Sequence, residues 1–310
     1  GRAHAQSTTR SIQMSLFELG NGEVSSADTD IRSFGDGATQ PSAPVRSILY
    51  SIDFTTPLST RGYDWSRIIA VEVDEPYAPQ YKSLVNNAII DHLIKYPDGS
   101  PVCPAPPAAV AAIASIDTLL QQRAMELKAL APQARFWVNF TGDEAHWMAL
   151  CGTQAFNRAY IDVVSADWYD VDFSSIEPFY SVVARYRPKP DQQLALIPGT
   201  FSAPTNQAPY LQDYLDYANN MNQTCNLPLG SRGVTGVYDG CPVWIVMGYL
   251  SGVFQGSTGP LYRGMLDPSS APIAAIWRAE VALPLRPGLA HQLTPAQIAL
   301  PILDQLLLNN

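Results

Sequence analysis

One stretch limits the fold of this chain more than any other: Arg67-Ile68-Ile69-Ala70-Val71-Glu72-Val73-Asp74-Glu75-Pro76-Tyr77. It begins as an apolar, β-branched run and ends in three carboxylates, a proline and an aromatic ring. Such a run suits a strand buried on both faces, as in a parallel sheet. Proline ends it, since proline cannot donate to a ladder. Alternation puts Ile69, Val71 and Val73 on one face and Ile68, Ala70, Glu72 and Asp74 on the other. A carboxylate in mid-strand is costly to bury without partners. The Glu72/Asp74 face is therefore expected to look into something polar, with Glu75 where the strand leaves the sheet.

Further segments read as strands: Ser11–Leu19, Ser47–Phe54, Arg135–Phe140, Tyr160–Asp167, Gln193–Ile197, Val243–Leu250 and, as an eighth, Pro272–Ala279. Residues 20–46 are rich in Gly, Ser, Asp and Pro and read as a long loop. Helical spacing is expected over Tyr81–Lys95, Pro106–Leu130, Ala145–Asn157, Ser175–Arg185 and Ala208–Met221, with a last helix starting at Thr294-Pro295. Strands alternating with helices imply an α/β fold with a mainly parallel sheet. Eight such units fit a single-domain, irregular (β/α)8 TIM barrel over residues 11–310, poor in helix in its first three units. Gly20-Asn21-Gly22 lacks the remaining features of a dinucleotide-binding turn, which argues against an open doubly wound sheet.

Composition narrows the partners. A net charge of −9 without a basic cluster disfavours nucleic acid and anionic membrane. No apolar run reaches the length of a membrane span. Residues 1–10 read as a disordered leader whose Ala3-His4-Ala5-Gln6 has the pattern of a signal-peptide cleavage site. The four cysteines, Cys103, Cys151, Cys225 and Cys241, form no C-x-x-C pair. An even count in an exported chain favours disulfides, and Cys103–Cys151 with Cys225–Cys241 is the preferred pairing. A secreted or periplasmic location is expected.

Carboxylates and large aromatics gather at the carboxyl ends of the expected strands, the face where barrels of this kind place their active sites. The second strand contributes Asp53, and the third Glu72, Asp74, Glu75 and Tyr77. The fourth contributes Asn139, Asp143, Glu144 and Trp147, and the fifth Asp167, Trp168, Tyr169 and Asp170. Tyr249 and Trp277 come from the last two. Flat apolar rings suit sugar C–H groups, and carboxylates hydrogen-bond hydroxyls. Paired carboxylates also supply the acid and the base or nucleophile of glycoside cleavage.

In layout the chain resembles TIM-barrel glycoside hydrolases. Thr141-Gly142-Asp143-Glu144, followed by Trp147, is similar to the Gly-Asp-Glu ending the fourth strand in β-hexosaminidases. That resemblance implies Glu144 as general acid and Asp143 as the residue orienting an acetamido group. Asp74-Glu75-Pro76 resembles the Asp-Glu-Pro at strand ends in several sugar-hydrolase families. The expected catalytic set is Glu75, Asp74, Glu144 and Asp143. Asp53, Glu72, Tyr77, Asn139, Trp147, Asp167, Trp168, Tyr169, Tyr249 and Trp277 are expected to bind an oligo- or polysaccharide. Each has a plainer reading: Asp143 and Glu144 as the acidic first turn of a helix, Asp167 and Asp170 as turn residues, the tryptophans as core.

No cofactor is implied. The chain has no Walker loop, no G-x-S-x-G elbow and no closely spaced histidine pair, so no metal is assigned. Two other readings stay open: a non-catalytic carbohydrate-binding barrel, and a metal-dependent phosphodiester hydrolase using Asp74, Glu75 and His146; the lack of a glutamate after the seventh expected strand favours the binding barrel or else an inverting or substrate-assisted mechanism.

Overall fold

A computed structural model describes residues 9–17, 28–51, 53–77, 100, 102–151, 156–169, 171–203, 205–224, 243–249, 253–255 and 261–285. Eight strands close into a barrel: β1 Gln13–Phe17, β2 Ile31–Gly35, β3 Ser47–Ser51, β4 Ile68–Asp74, β5 Arg135–Thr141, β6 Val163–Asp167, β7 Gln193–Leu196 and β8 Val243–Tyr249. Every neighbouring pair is parallel, and β8 returns to β1 with Gln13 opposite Ile245 and Phe17 opposite Tyr249. All seven residues of β4 are buried. One face packs against the outer helical layer, and the other fills the barrel.

The helices are α1 Pro107–Leu130, α2 Gly142–Cys151, α3 Phe173–Tyr186, α4 Ala208–Thr224 and α5 Ala271–Ala282. Pro107 begins α1, where a missing N–H costs nothing. Ile113, Ile116, Leu120 and Leu127 of α1 then recur on one buried stripe. Phe173, Ile176, Phe179, Tyr180 and Val183 do the same in α3, as do Leu211, Tyr214, Leu215 and Ala218 in α4. Among the described residues, β2 and β3 are followed by loops and short 3-10 turns without an α-helix. A short antiparallel pair, β9 Val253–Gln255 and β10 Leu261–Arg263, follows β8. No helix among the described residues is long and apolar enough to cross a membrane.

Two expectations about elements are corrected. Ile31–Gly35, placed in the long loop, is strand β2. Its sequence, IRSFG, is too short and too polar to alternate clearly, and its place comes from pairing on both sides, helped by a 2.7 Å hydrogen bond between the Ser15 and Ser33 hydroxyls. Pro272–Ala279, expected as the eighth strand, lies in α5. Ile273, Ala274 and Trp277 are buried at helical spacing, and proline sits in the first turn. The expected third to seventh strands are therefore β4 to β8. Cys103 and Cys151 are disulfide-bonded, tying the approach to α1 to the end of α2. Cys225 and Cys241, the helices expected at 81–95 and after 294, and Asp170 lie outside the described residues.

Candidate active site

The barrel interior grades from apolar to acidic. At its amino end the Arg135 guanidinium lies 4.4 Å from the centroid of the Trp244 ring, and Trp244 meets Trp137 edge-on. Higher up, Trp137 Nε1 donates to Ser165 Oγ (2.7 Å) and Ser165 Oγ donates to Asn139 Oδ1 (2.8 Å). Asn139 Nδ2 in turn donates to Asp74 Oδ1 at 2.9 Å, and Tyr50 Oη donates to Asp74 Oδ2 at 2.5 Å. This chain of donors runs from a buried indole to a carboxylate. Both oxygens of Asp74 therefore accept.

Four more carboxyl groups surround that point. Glu72 lies one step below Asp74 on the inner face of β4 and is fully buried, with no hydrogen-bond partner for either oxygen among the described residues. Burial, then the charges of Asp74 and Asp167, drive its pKa well above the carboxylate range, so it holds its proton. Glu75 leaves β4 with a φ of 42°, in the left-handed region that disfavours side chains. Its N–H donates to the Asn139 carbonyl, and its carboxyl hydrogen-bonds Asp167 at the end of β6. Burial and the charges of Asp167, Asp74 and Glu144 push Glu75 up to about 10, so it is the protonated donor of that pair. Asp167 is raised to about 7 by burial and by Asp74, against the hydrogen bonds from Tyr169 and Glu75. The two environments separate an acid from a base within one carboxyl pair.

Glu144 has a structural task. Its Oε2 accepts from the Thr141 N–H (3.0 Å) while Thr141 Oγ1 accepts from the Glu144 N–H (3.1 Å), a reciprocal capping box at the start of α2. Helix capping thus accounts for the Thr141–Glu144 pattern. Glu144 is fully buried, and burial raises its pKa well above the usual range. Asp143 is exposed on the first turn of α2.

The aromatic residues divide. Trp168 and Tyr169 are half-buried beside the carboxyl pair. Tyr169 Oη donates to Asp167 Oδ2 (3.2 Å), and the ring meets Phe201 edge-on. Trp168 lies against Gly142, where an added Cβ would fall 2.7 Å from its Cγ; only glycine leaves room for the indole. Three expected sugar-binding rings are core instead. Tyr77 is fully buried with its hydroxyl on Asp117, Trp147 is buried with Nε1 on the Val102 carbonyl, and Trp277 is buried with Nε1 on the Asp28 carbonyl. Tyr249 ends β8, on the register of Phe17.

Asp53 is also corrected. It accepts from Thr55 and Thr56 in its own turn. Burial raises its pKa, but those four hydrogen bonds outweigh it and hold the group at about 2. The face of β3 that looks inward carries Ile48 and Tyr50 rather than the Leu49 face that leads to Asp53. Tyr50 was missed for that reason. The signal that could have found it is alternation along β3, which puts Tyr50 on the same face as Ile48 and opposite Leu49.

Among the described residues no three His, Cys, Asp or Glu side chains are grouped so as to hold a metal ion. His146 is exposed on α2, its ring edge-on to Trp168.

Among solved structures the chain is similar to virulence factor SghA from Agrobacterium tumefaciens, at 11% identity and a TM-score of 0.48 over 83% of this chain and 84% of that one. It is also similar to SghA in complex with its substrate analogue salicin, at 11% identity and a TM-score of 0.45 over 83% of each chain. A third similarity, to the GH53 catalytic domain of Ignisphaera aggregans, has 9% identity and a TM-score of 0.41 over 82% of this chain and 86% of that one. No family model and no curated protein matches the chain. Likeness at this level adds nothing to the barrel already described, and the chemistry rests on the site.

Proposed function

We propose that this protein hydrolyses glycosidic bonds of an oligo- or polysaccharide, with Glu75 as the general acid. What supports the reading is the gathering of Asp74, Glu75 and Asp167 at the carboxyl ends of β4 and β6, where burial and neighbouring charge push Glu75 up to about 10 and Asp167 to about 7, an acid beside a base. Glycoside cleavage needs that division, an acid for the leaving oxygen and a second carboxylate for the anomeric centre. Trp168 and Tyr169, half-buried at the same rim, offer flat faces to a sugar ring. Asp74 lies beneath the pair, and the hydrogen bonds from Tyr50 and Asn139 favour its negatively charged form against the burial that raises its pKa. That charge favours the oxocarbenium-like transition state. The Cys103–Cys151 disulfide supports export to an oxidising compartment.

The test is product release from a panel of polysaccharides and aryl glycosides, with wild type beside Glu75→Gln. Cleavage of at least one substrate, lost in the variant, is the expected result. Binding of a glycan without cleavage would instead support a carbohydrate-binding barrel. One feature favours that alternative: Ile197-Pro198-Gly199-Thr200-Phe201, following β7, contains no carboxylate. Tyr50→Phe gives a second check. Burial already raises the pKa of Asp74 and the Tyr50 hydrogen bond opposes the rise. Its loss should move the acidic limb of the pH–activity profile to higher pH and lower kcat/KM about tenfold. An unchanged limb would remove Asp74 from the mechanism.

A further inference from the structure

A line of aromatic rings ties the hairpin after β8 to the carboxylate at the end of β6. Tyr169 Oη donates to Asp167 Oδ2 at 3.2 Å. The Tyr169 ring stands edge-on to Phe201, with 5.0 Å between centroids and 81° between planes. Phe201 in turn stands edge-on to Tyr262 of β10, at 4.9 Å and 83°. Phe201, which follows β7, is buried, and Tyr169 and Tyr262 are half-buried against it. Leu261 and Arg263, the neighbours of Tyr262 on β10, are exposed, so alternation turns the Tyr262 ring onto Phe201.

An isolated two-stranded hairpin is marginal in water, so this one depends on its anchors. Phe201 forms an antiparallel bridge with Gly264, and the Ser202 N–H donates to the Arg263 carbonyl at 2.8 Å. Ser270 Oγ donates to that same carbonyl at 2.7 Å, and Arg263 Nη1 pairs with Asp267 Oδ2 at 3.0 Å, just ahead of α5. The segment after β7, which brings no carboxylate to the rim, is therefore the edge on which β10 is seated. Edge-on aromatic contacts fix the orientation of a ring. A half-buried tyrosine without such a wall would turn among its rotamers and share its hydroxyl with water.

We propose that the β9–β10 hairpin is a positioning element: Tyr262, acting through Phe201, holds the Tyr169 hydroxyl on Asp167. That Asp167 serves as a base beside Glu75 rests on the glycosidase reading above; the aromatic contact does not. Burial and Asp74 raise the pKa of Asp167, and the Tyr169 hydrogen bond opposes them. The other ionisable groups that act on Asp167 are Glu72 of β4, Glu75 beyond it, Glu144 of α2, and the phenols of Tyr180 in α3 and Tyr214 in α4. None of these stands on the hairpin, and a tyrosine is uncharged below about pH 10. Replacing Tyr262 moves no charge, so its effect on Asp167 passes through the position of Tyr169.

The experiment is the titration of the Asp167 carboxyl by carbon-13 NMR of the full chain, its resonance assigned with Asp167→Asn. The pH–activity profile on an aryl glycoside that the wild type cleaves is recorded beside it. Tyr169→Phe should move the Asp167 midpoint upward by about 0.5–1 pH unit, the size of one lost hydrogen bond. Tyr262→Leu should move it the same way by about 0.3 pH unit or more. Tyr262→Phe keeps the ring and should leave the midpoint in place. Added to Tyr169→Phe, Tyr262→Leu should change nothing further, since the residue it acts through is gone. Phe201→Leu serves if Tyr262→Leu lacks a native circular dichroism spectrum, and must show the same non-additive shift. On the glycoside, the limb governed by Asp167 should move with the midpoint. A Tyr262→Leu midpoint equal to wild type, or a shift that adds in full to that of Tyr169→Phe, would overturn the proposal and leave the glycosidase reading intact. A wild type that cleaves no glycoside would overturn that reading, and the titration would still decide the role of the hairpin.

Discussion

Glu75→Gln is expected to lower kcat by about 1,000- to 10,000-fold on glycosides with alcohol leaving groups, the range set by loss of a general acid. On a dinitrophenyl glycoside, whose leaving group departs without a proton, bond cleavage should be slowed no more than about tenfold. That contrast separates loss of an acid from damage to the site, which would slow both substrates alike. The backbone offers a second readout. Glu75 is the one non-glycine residue among those described with positive φ, and a side chain held there costs about 1 kcal/mol or more. Glu75→Gly should therefore match or exceed wild type in urea denaturation, by about 1 kcal/mol, while being as inactive as the glutamine variant. Stability and activity would then move in opposite directions, as expected of strain retained for function. A glycine variant less stable than wild type would mean that the carboxyl, through Asp167, holds the rim together.

How much of this was readable beforehand depended on whether local pattern or tertiary context set each residue. β4 was legible because a strand buried on both faces must be apolar throughout, so Glu72 and Asp74 stood out against Ile68–Val73. The barrel followed from the alternation of strand and helix. β2 was not legible, since Arg32 and Ser33 break its pattern and only pairing with β1 and β3 makes it a strand. Pro272–Ala279 carries a short apolar run that strand and helix share equally. At the site, Glu75 and Asp167 could be located at strand ends, but their hydrogen bond joins β4 to β6 across a separation that no spacing rule reports. Tyr77, Trp147 and Trp277 illustrate the reverse problem. An aromatic near a strand end is equally at home in the core, and only the partners of its polar atom decide. Thr141–Glu144 read both ways, as catalytic motif and as helix start; the capping box was already present in its four letters.

The acid cluster makes an unusual demand on stability. Burial raises the pKa of Glu72, Asp74, Glu75, Glu144 and Asp167 together. A carboxyl whose folded pKa lies above its unfolded value keeps a proton that the unfolded chain has released, so stability is full below about pH 4 for these groups and falls as pH rises toward the folded value. Each retained proton contributes a slope of about 1.4 kcal/mol per pH unit, and Asp167 alone, moved from about 4 to about 7, accounts for about 4 kcal/mol. Asp53 and Asp162 act oppositely, their depressed pKa values protecting the fold above about pH 4 and failing below it. The stability maximum should therefore lie near pH 4–5. Between pH 5 and pH 8 the unfolding free energy from urea titration should drop by more than about 3 kcal/mol. Glu72→Gln, which keeps shape but carries no titrating proton, should reduce the slope by about 1.4 kcal/mol per pH unit and be more stable than wild type at pH 8. The glutamine would have lost nothing in hydrogen bonding, because neither oxygen of Glu72 has a partner among the described residues. A wild type as stable at pH 8 as at pH 5, or a Glu72→Gln slope parallel to it, would mean that the deep carboxyl is ionised and compensated, and the acid assigned to Glu75 would then need a different electrostatic origin.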